Sequence, residues 1–267
     1  MGKKLIIPGA DFSANAIEVT SIKTVSGNQS FQILDSIEGV KSFTSDADGY
    51  VEIEGYVNYT GDYHAINFFN KASSVTDITI EEVKNLRLKT GDLKYGFYKC
   101  SALKSVTFSD IKSTNANGLA LNWLFSSCQN LETLRINSKE KIKVLSLSSV
   151  FSNGGGKKIK SLDLQRLDTS LMTEMANFFN IGGGNFPDLE EINFSGWDLS
   201  SLDTSVTSNY QYAFNLCKSL QKAIINGCNA ATITKLKTIL STVSSSNPWV
   251  WVESTDASGN SILVRQS

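Results

Sequence analysis

The sequence is poor in the residues on which most soluble enzymes and metalloproteins rely. Its 267 residues include one histidine, His64, and four cysteines, no two of which form a C-x-x-C pair. A multi-histidine metal site is therefore excluded, and a Ser-His or Cys-His nucleophile pair has a single candidate base. The cysteine spacing also argues against a zinc site and against thioredoxin-like redox chemistry. We therefore expect a protein that is not an enzyme and holds no cofactor.

An excess of positive charge and long apolar runs are also missing. The 25 Lys and Arg residues face 26 Asp and Glu residues, so the formal net charge of −1 offers no basic field for nucleic acid. No apolar run reaches the roughly 18 to 20 residues that a membrane-spanning helix needs. The start of the chain has only the apolar run from Leu5 to Ile7, whereas a secretory signal needs roughly 7 to 15 apolar residues. We expect no nucleic-acid partner, no membrane insertion and no secretory signal in this segment.

A five-position apolar frame repeats along the middle of the chain. Two copies align closely: Phe97 is followed by Cys100 and an apolar-x-apolar triplet, and Phe125 is followed by Cys128 and a similar triplet. The leading phenylalanines of all copies are Phe69, Phe97, Phe125, Phe151, Phe179 and Phe214. The steps between them are 28, 28, 26, 28 and 35 residues. A near-constant period in the twenties predicts a solenoid of the leucine-rich type.

The apolar-x-apolar triplet predicts one short strand in each coil, because its outer residues face one side and its middle residue the other. A single coil cannot bury its apolar edge, so the coils must stack and form a parallel ladder, roughly 24 Å long for about six coils. In the segments between a strand and the next leading phenylalanine, residues 119–125 and 168–179 show helical spacing of apolar side chains. These segments predict one or two helical turns on the outer, convex side.

The repeat also resembles a known family. Residues 161–179, SLDLQRLDTSLMTEMANFF, resemble the repeat unit of the BspA-like leucine-rich repeat proteins, and residues 193–198 and 214–220 look like further copies. The resemblance covers about residues 66–226. It implies an α/β leucine-rich repeat solenoid and a bacterial protein of the cell surface or extracellular space that adheres to a host or matrix partner. Residues 5–17 are also similar to the N-termini of proteins from gut Bacteroidales and their phages.

The chain divides into three regions. Residues 1–60 lack the frame, and the alternating segments 31–34 and 50–54 predict a β-rich N-terminal cap or small module. Residues 61–230 contain the predicted solenoid of about six coils. In residues 231–267, apolar residues at helical spacing over 233–240 predict a helix, and residues 249–253 and 262–265 around a turn predict a hairpin. We expect this helix and hairpin to cap the last coil.

Two interpretations are open for the repeat cysteines Cys100, Cys128 and Cys217. They could be thiol nucleophiles or a metal ladder, or they could be small buried hydrophobic residues at a tight corner. Alanine or glycine occupies the same position in the other copies (Ala72, Gly154 and Gly182), which favours the packing interpretation. Cys100 and Cys128 on adjacent coils could also come within disulfide distance.

The outward face of the predicted ladder is the candidate binding surface. The middle residue of each strand, and the residue two positions earlier, point away from the core. The candidate ligand-binding residues are Thr107, Arg135, Asp163, Asn193, Thr133 and Glu191. This polar face of mixed charge suits recognition through hydrogen bonds, and a solvated sheet without a ligand has the same composition.

These patterns together predict a non-catalytic recognition protein, resembling an adhesin, whose ligand is a protein or a glycan. The alternative is a structural or host-attachment component of a phage or prophage particle. That alternative agrees with the lack of a secretory run at the start, and it implies a location in the virion or the cytoplasm.

Overall fold

The structure, a computed structural model, describes residues 3–6, 18–24, 30–35, 39–44, 50–54, 78–84, 86–88, 97, 103–108, 111–113, 117–179, 186, 188–241 and 248–266. Within these ranges the chain forms a β-solenoid of about four turns, built mostly of strands with little helix. The prediction of a solenoid is therefore confirmed. Phe69 and Cys100 of the repeat frame lie outside the described residues, as does His64.

Short strands account for most of the regular structure. In chain order they are β1 (Lys3–Ile6), β2 (Glu18–Thr24), β3 (Ser30–Asp35), β4 (Gly39–Thr44), β5 (Tyr50–Glu54), β6 (Ile78–Lys84), β7 (Leu86–Leu88), β8 (Leu103–Phe108), β9 (Ile111–Ser113), β10 (Leu119–Ala120), β11 (Thr133–Ile136), β12 (Ile142–Ser146), β13 (Ser161–Asp163), β14 (Leu167–Asp168), β15 (Glu191–Asn193), β16 (Lys222–Ile224), β17 (Trp251–Thr255) and β18 (Ser261–Arg265). A turn of 3-10 helix spans Thr207–Asn209, and helix α1 spans Ala230–Ser241. The predicted strands over 31–34 and 50–54 are confirmed as parts of β3 and β5.

Two sheets contain the parallel strands formed by the apolar-x-apolar triplets. The first has the order β1-β5-β2-β6-β8-β11, in which β6, β8 and β11 run parallel and β2 pairs antiparallel with β6. The second has the order β13-β15-β16-β18-β17, in which β13, β15 and β16 run parallel and β18 is antiparallel to β16. We call β6-β8-β11 the first ladder and β13-β15-β16 the second ladder. Strands β10, β12 and β14 form a third sheet, and β3 with β4 and β7 with β9 form pairs.

The two ladders do not join, which corrects the prediction of one continuous ladder. No pairing links β11 to β13 within the part of the chain that the structure describes. An apolar cavity of about 30 Å³ lies at this gap, lined in part by Leu134, Ile136 and Leu164. Leu134 and Ile136 are half-buried, whereas Leu162 and Leu164 at the same frame positions are buried. The triplet determines which side chains enter the core, but it does not determine whether neighbouring strands form hydrogen bonds.

The segments that lead into the core phenylalanines are not helical, so the predicted helical turns over 119–125 and 168–179 are wrong. The residue two positions before a phenylalanine has a positive φ of 57° to 62° at Trp123, Ser149, Asn177 and Tyr212. A left-handed residue at this position interrupts a right-handed helix. The backbone instead bonds to the next coil, as Phe125 N does to Val150 O at 2.8 Å.

A column of phenylalanine rings runs through the interior. Each of its members is at most 2% exposed: Phe97, Phe125, Phe151, Phe179 and Phe214. From Phe97 to Phe179, successive rings of the column are stacked. Their centroids are 5.3, 5.6 and 5.0 Å apart, and their interplanar angles are 8°, 13° and 9°. Phe214 is tilted by 48° against Phe179, and Phe186 packs edge-on against Phe179 at 4.9 Å. Such ring pairs contribute about 0.5–1.5 kcal/mol each beyond the burial of their area.

Two tryptophans are buried in the second half of the chain. Trp197 is 1% exposed, lies 4.6 Å from the ring of Phe194, and donates its Nε1 hydrogen to Leu164 O at 2.9 Å. Trp251 donates its Nε1 hydrogen to Leu240 O at 3.3 Å. Both indole N–H groups therefore have the acceptor that a buried tryptophan needs.

Helix α1 and a β-hairpin follow the second ladder, as the sequence predicts for both elements. Leu236, Ile239 and Leu240 form the buried face of α1. At its start, Asn229 Oδ1 accepts a hydrogen bond from Thr232 N at 2.8 Å, which is a typical N-terminal cap. Strands β17 and β18 pair antiparallel, and β18 lies against β16, so the hairpin extends the second sheet.

Candidate ligand-binding face

Three candidate residues lie on the first ladder. Parallel register places Thr133 beside Ser105 and Arg135 beside Thr107. Arg135 is exposed and both threonines are half-buried, while Val106 between the outward residues is buried. The alternation along the strands therefore puts Thr107, Thr133 and Arg135 on the outer face.

The other three candidates lie on the second ladder. Asp163 is beside Asn193, and Glu191 lies between Ser161 on one side and Lys222 on the other. The residues between them in each strand are fully buried. The six candidates form two groups, one on each ladder: Thr107, Thr133 and Arg135 in the first, and Asp163, Asn193 and Glu191 in the second. Strands β11 and β13 lie close to each other but are not paired.

Asp163 and Asn193 use their side chains to build the turns that follow their strands. Asp163 Oδ1 accepts from Gln165 N at 3.0 Å, and its Oδ2 accepts from Gln165 Nε2 at 2.7 Å. Asn193 Oδ1 accepts from the N and Oγ atoms of Ser195 at 2.9 and 2.6 Å. These are Asx turns, in which a side chain replaces a backbone carbonyl. Both residues therefore have less capacity for a ligand than their exposed position suggests.

The same turn recurs at four further positions that the repeat frame does not predict. An Asp accepts from the N–H two residues later in pairs that all read Asp-x-Ser: Asp168 and Ser170, Asp198 and Ser200, Asp203 and Ser205, and Asp256 and Ser258. The Asp-x-Ser spacing was the available signal. These turns explain in part why serine is abundant in the sequence.

Lys222 connects Glu191 to the hairpin turn. Its Nζ lies 2.9 Å from Glu191 Oε2 and 2.9 Å from Asp256 Oδ2. The Lys222 ammonium, together with N–H groups of Asn260 and Ser258, holds the pKa of Asp256 well below its usual range. Asp256 and then Glu191 raise the pKa of Lys222. Glu191 is thus already paired with Lys222. Asp256 reaches this face because the hairpin pairs with β16, and local sequence spacing does not predict that pairing.

The side chains of the first group are more available to a ligand than those of the second group. Thr107, Thr133 and Arg135 make no side-chain hydrogen bond or ion pair with any other residue that the structure describes. A guanidinium offers five N–H donors in a planar arrangement that matches a carboxylate, and a hydroxyl both donates and accepts. This group can therefore bind a ligand that carries acidic or hydroxyl oxygens.

The described cysteines are free thiols in apolar surroundings. Cys128 is fully buried and donates its Sγ hydrogen to Phe97 O at 2.8 Å. Cys128 is a free thiol, and Cys100, the partner considered for a disulfide, lies outside the described residues. Burial raises the pKa of the Cys217 thiol well above its ordinary value, and a protonated thiol is neither a nucleophile nor a metal ligand. Across the described ranges, no three His, Cys, Asp or Glu side chains are placed to hold a metal ion.

Comparison with known proteins identifies no family for this chain. No protein-family model matches the sequence, and no curated protein or solved structure is significantly similar to it. The resemblance to BspA-like repeats therefore stays a prediction. Among the residues with described structure, no helix combines the length and the hydrophobicity that crossing a bilayer requires.

Proposed function

We propose that this protein is a non-catalytic recognition protein that binds a protein or a glycan through the outer face of its ladders. The observation that carries the proposal is the exposed guanidinium of Arg135, which lies beside Thr107 in the parallel register and has no partner among the described residues. Hydrogen bonds to a charged group contribute more to binding than neutral ones do. Arg135 is therefore the expected anchor, with the Thr107 and Thr133 hydroxyls as neighbours.

The position of this group on strands supports the proposal. Arg135 and both threonines belong to β11 and β8, whose inward residues, such as Val106 and Phe108, are buried in the core. Side chains on such a supported backbone lose less conformational entropy on binding than side chains on a mobile loop. The second group contributes less, because Glu191 is paired with Lys222 and two of its members build turns.

We further propose that the repeats are leucine-rich repeats of the BspA-like type, with about six coils and a cap at each end. The stacked phenylalanine column supports the repeat, because its members occupy one frame position in successive coils. The antiparallel strands β2 and β18, which continue the two ladders beyond β6 and β16, support the caps at residues 1–60 and 231–267. Display at the cell surface follows from the family resemblance.

A binding screen with the full chain tests the recognition function. Immobilised glycans and extracellular-matrix proteins serve as probes, and each hit is measured again with Arg135→Ala and with Arg166→Ala as the matched control. Arg166 is also exposed but lies in the turn after β13, outside both groups. Arg135→Ala should weaken binding by about 10- to 100-fold, the loss of one or two charge-assisted hydrogen bonds, while Arg166→Ala leaves it unchanged. Equal affinities in the two variants would overturn the role of the outer face.

A further inference from the structure

Strand β17 forms the outer edge of the second sheet. One of its sides pairs with β18, and the other has no partner strand among the described residues. Gln266 N donates to Val250 O at 2.8 Å, and from there alternate residues direct their backbone groups toward β18. The backbone N–H and C=O groups that point away from the sheet belong to Trp251, Glu253 and Thr255. These groups bond to no other residue that the structure describes.

This edge lacks the features that usually block the addition of a further strand. The segment Trp251–Thr255 contains no lysine and no proline, and its pairing with β18 has no bulge. Its single charged side chain is Glu253, whose Oε1 lies 2.6 Å from Lys237 Nζ. Because the ammonium already compensates the carboxylate, the edge does not repel a second strand of the same sequence.

Exposed valines lie on the outer face of the same edge. Val252 is 37% exposed and lies directly opposite Val264 of β18, which is half-buried. Val250, on the same face of the strand, is 59% exposed. An apolar side chain on an added strand would cover Val252, in the way that cross-strand neighbours cover each other within a sheet. The apolar row and the free backbone groups therefore indicate one and the same docking edge.

We propose that β17 pairs antiparallel with β17 of a second copy of this chain, about a two-fold axis. Val252 lies opposite Val252 of the partner subunit at a non-hydrogen-bonded position, where opposite side chains are closest. Trp251 and Glu253 exchange backbone hydrogen bonds with Glu253 and Trp251 of the partner subunit. The two five-stranded sheets then join into one. This dimer goes beyond the recognition function proposed above and does not depend on it.

The residues of the edge favour a second copy as the occupant. In this register Val264 and Val252 continue directly into Val252 and Val264 of the partner subunit, so four apolar side chains form one row across the joined sheet. Glu253 lies opposite Trp251 of the partner subunit, so no two carboxylates face each other. A register centred on Glu253 would bring two carboxylates together, which destabilises a strand pair. The two-fold pairing uses both free edges, so assembly stops at the dimer.

Sedimentation equilibrium of the full chain tests the dimer. A single strand pair buries less than the roughly 1,200–2,000 Å² of a standard interface, so the dimer is weak and dissociates in the dilute solutions used for spectroscopic unfolding. As the concentration rises from about 5 µM to about 500 µM, the mean mass should rise from 29.1 kDa toward twice that value. A mass that stays at the monomer value throughout overturns the proposal, and so does growth beyond the dimer.

Two variants of Glu253 separate backbone pairing from the ion pair with Lys237. Because Glu253 N points away from β18, Glu253→Pro removes a donor to the second copy and leaves the hairpin bonds in place. Glu253→Gln keeps the N–H group and loses the charge. Circular dichroism checks that both variants fold. The dimer should weaken by about 10-fold or more in Glu253→Pro and stay within about 3-fold in Glu253→Gln. Equal dimerisation of the two variants overturns pairing through this edge.

A cysteine cross-link tests the register. Val252→Cys places two thiols opposite each other across the axis, at a Cα separation that a disulfide spans, so oxidation should give a covalent dimer on a non-reducing gel. Ser254→Cys, exposed on the same face, lies about 14 Å from its copy in this register and should form no more dimer than the parent chain. Failure of Val252→Cys to cross-link, or equal cross-linking of the two variants, overturns the proposed pairing.

Discussion

The corner side and the strand side of the solenoid differ at one step, between the coils of Phe125 and Phe151. On the corner side, Phe125 N donates to Val150 O at 2.8 Å, and the two rings stack 5.6 Å apart. The buried hydroxyls of Ser126 and Ser152 are also hydrogen-bonded, at 3.0 Å. On the strand side of the same step, β11 and β13 are not paired, and an apolar cavity lies at the gap.

The difference shows that stacking of coils and pairing of strands are separate properties of this fold. The ring column and the corner hydrogen bonds continue across a step at which the ladder does not. The ring column, the corner hydrogen bonds and the pairing of β10 with β12 therefore hold these two coils in contact where the ladder is interrupted. Strand pairing then adds to the stability of the coils where the backbones come close enough for hydrogen bonds.

The largest expected loss of stability comes from removing one ring of the phenylalanine column on the corner side. Phe125→Ala removes a ring that is 1% exposed and stacks on both Phe97 and Phe151. Unfolding by urea, followed by circular dichroism, should show a loss of about 3–5 kcal/mol. Val252→Ala, at an exposed position of β17, serves as the control and should change stability by less than about 0.5 kcal/mol. A loss below about 1 kcal/mol in Phe125→Ala would contradict the role of the column.

Two leucine variants at the same frame position test how the missing pairing between β11 and β13 affects stability. Leu162→Ala removes a fully buried side chain from the second ladder and should cost about 2–5 kcal/mol in urea unfolding. Leu134→Ala removes the equivalent side chain beside the cavity, where it is half-buried and has fewer neighbours, and should cost about half as much. Equal losses in the two variants would mean that the gap is closed in solution.

The smallest expected effect concerns the hairpin that extends only the second sheet. Lys222 lowers the pKa of Asp256, so the folded state binds fewer protons than the unfolded state in acid. The stabilisation is present above the ordinary carboxyl pKa of about 3.9 and is lost as the pH falls toward the lower folded value. Thermal unfolding between neutral pH and about pH 2 should therefore show a shallower acid decline in Asp256→Asn than in the parent chain. Parallel declines would show that the ion pair contributes nothing.

The side-chain pattern of the fold was predictable because it repeats. Each phenylalanine from Phe97 to Phe214 recurs at the head of an apolar triplet, and the period alone predicts that these positions face a shared interior. Helix α1 and the hairpin were predictable for the same reason, since their apolar spacing is local. The corner segments were not predictable, because Trp123, Ser149, Asn177 and Tyr212 share a left-handed φ but no common chemistry.

The candidate face was predictable only as a set of outward positions. Alternation along the strands is sufficient to place Arg135 and Asp163 outside. It cannot show that Asp163 is held by the turn to Gln165 or that Glu191 is paired with Lys222. Alternation also does not reveal that β11 and β13 are unpaired, because pairing depends on backbone contacts between residues 28 positions apart in the sequence.

The placement of the tryptophans gives the two halves of the molecule different optical signals. Trp197 and Trp251 are shielded from water in the second half, while Trp123 is half-buried at a corner of the first. Intrinsic fluorescence therefore reports mainly on the second half, and a chain that keeps Trp123 alone would report on the first. Emission from the two forms during denaturation would show whether the coils on either side of the gap lose structure together or one after the other.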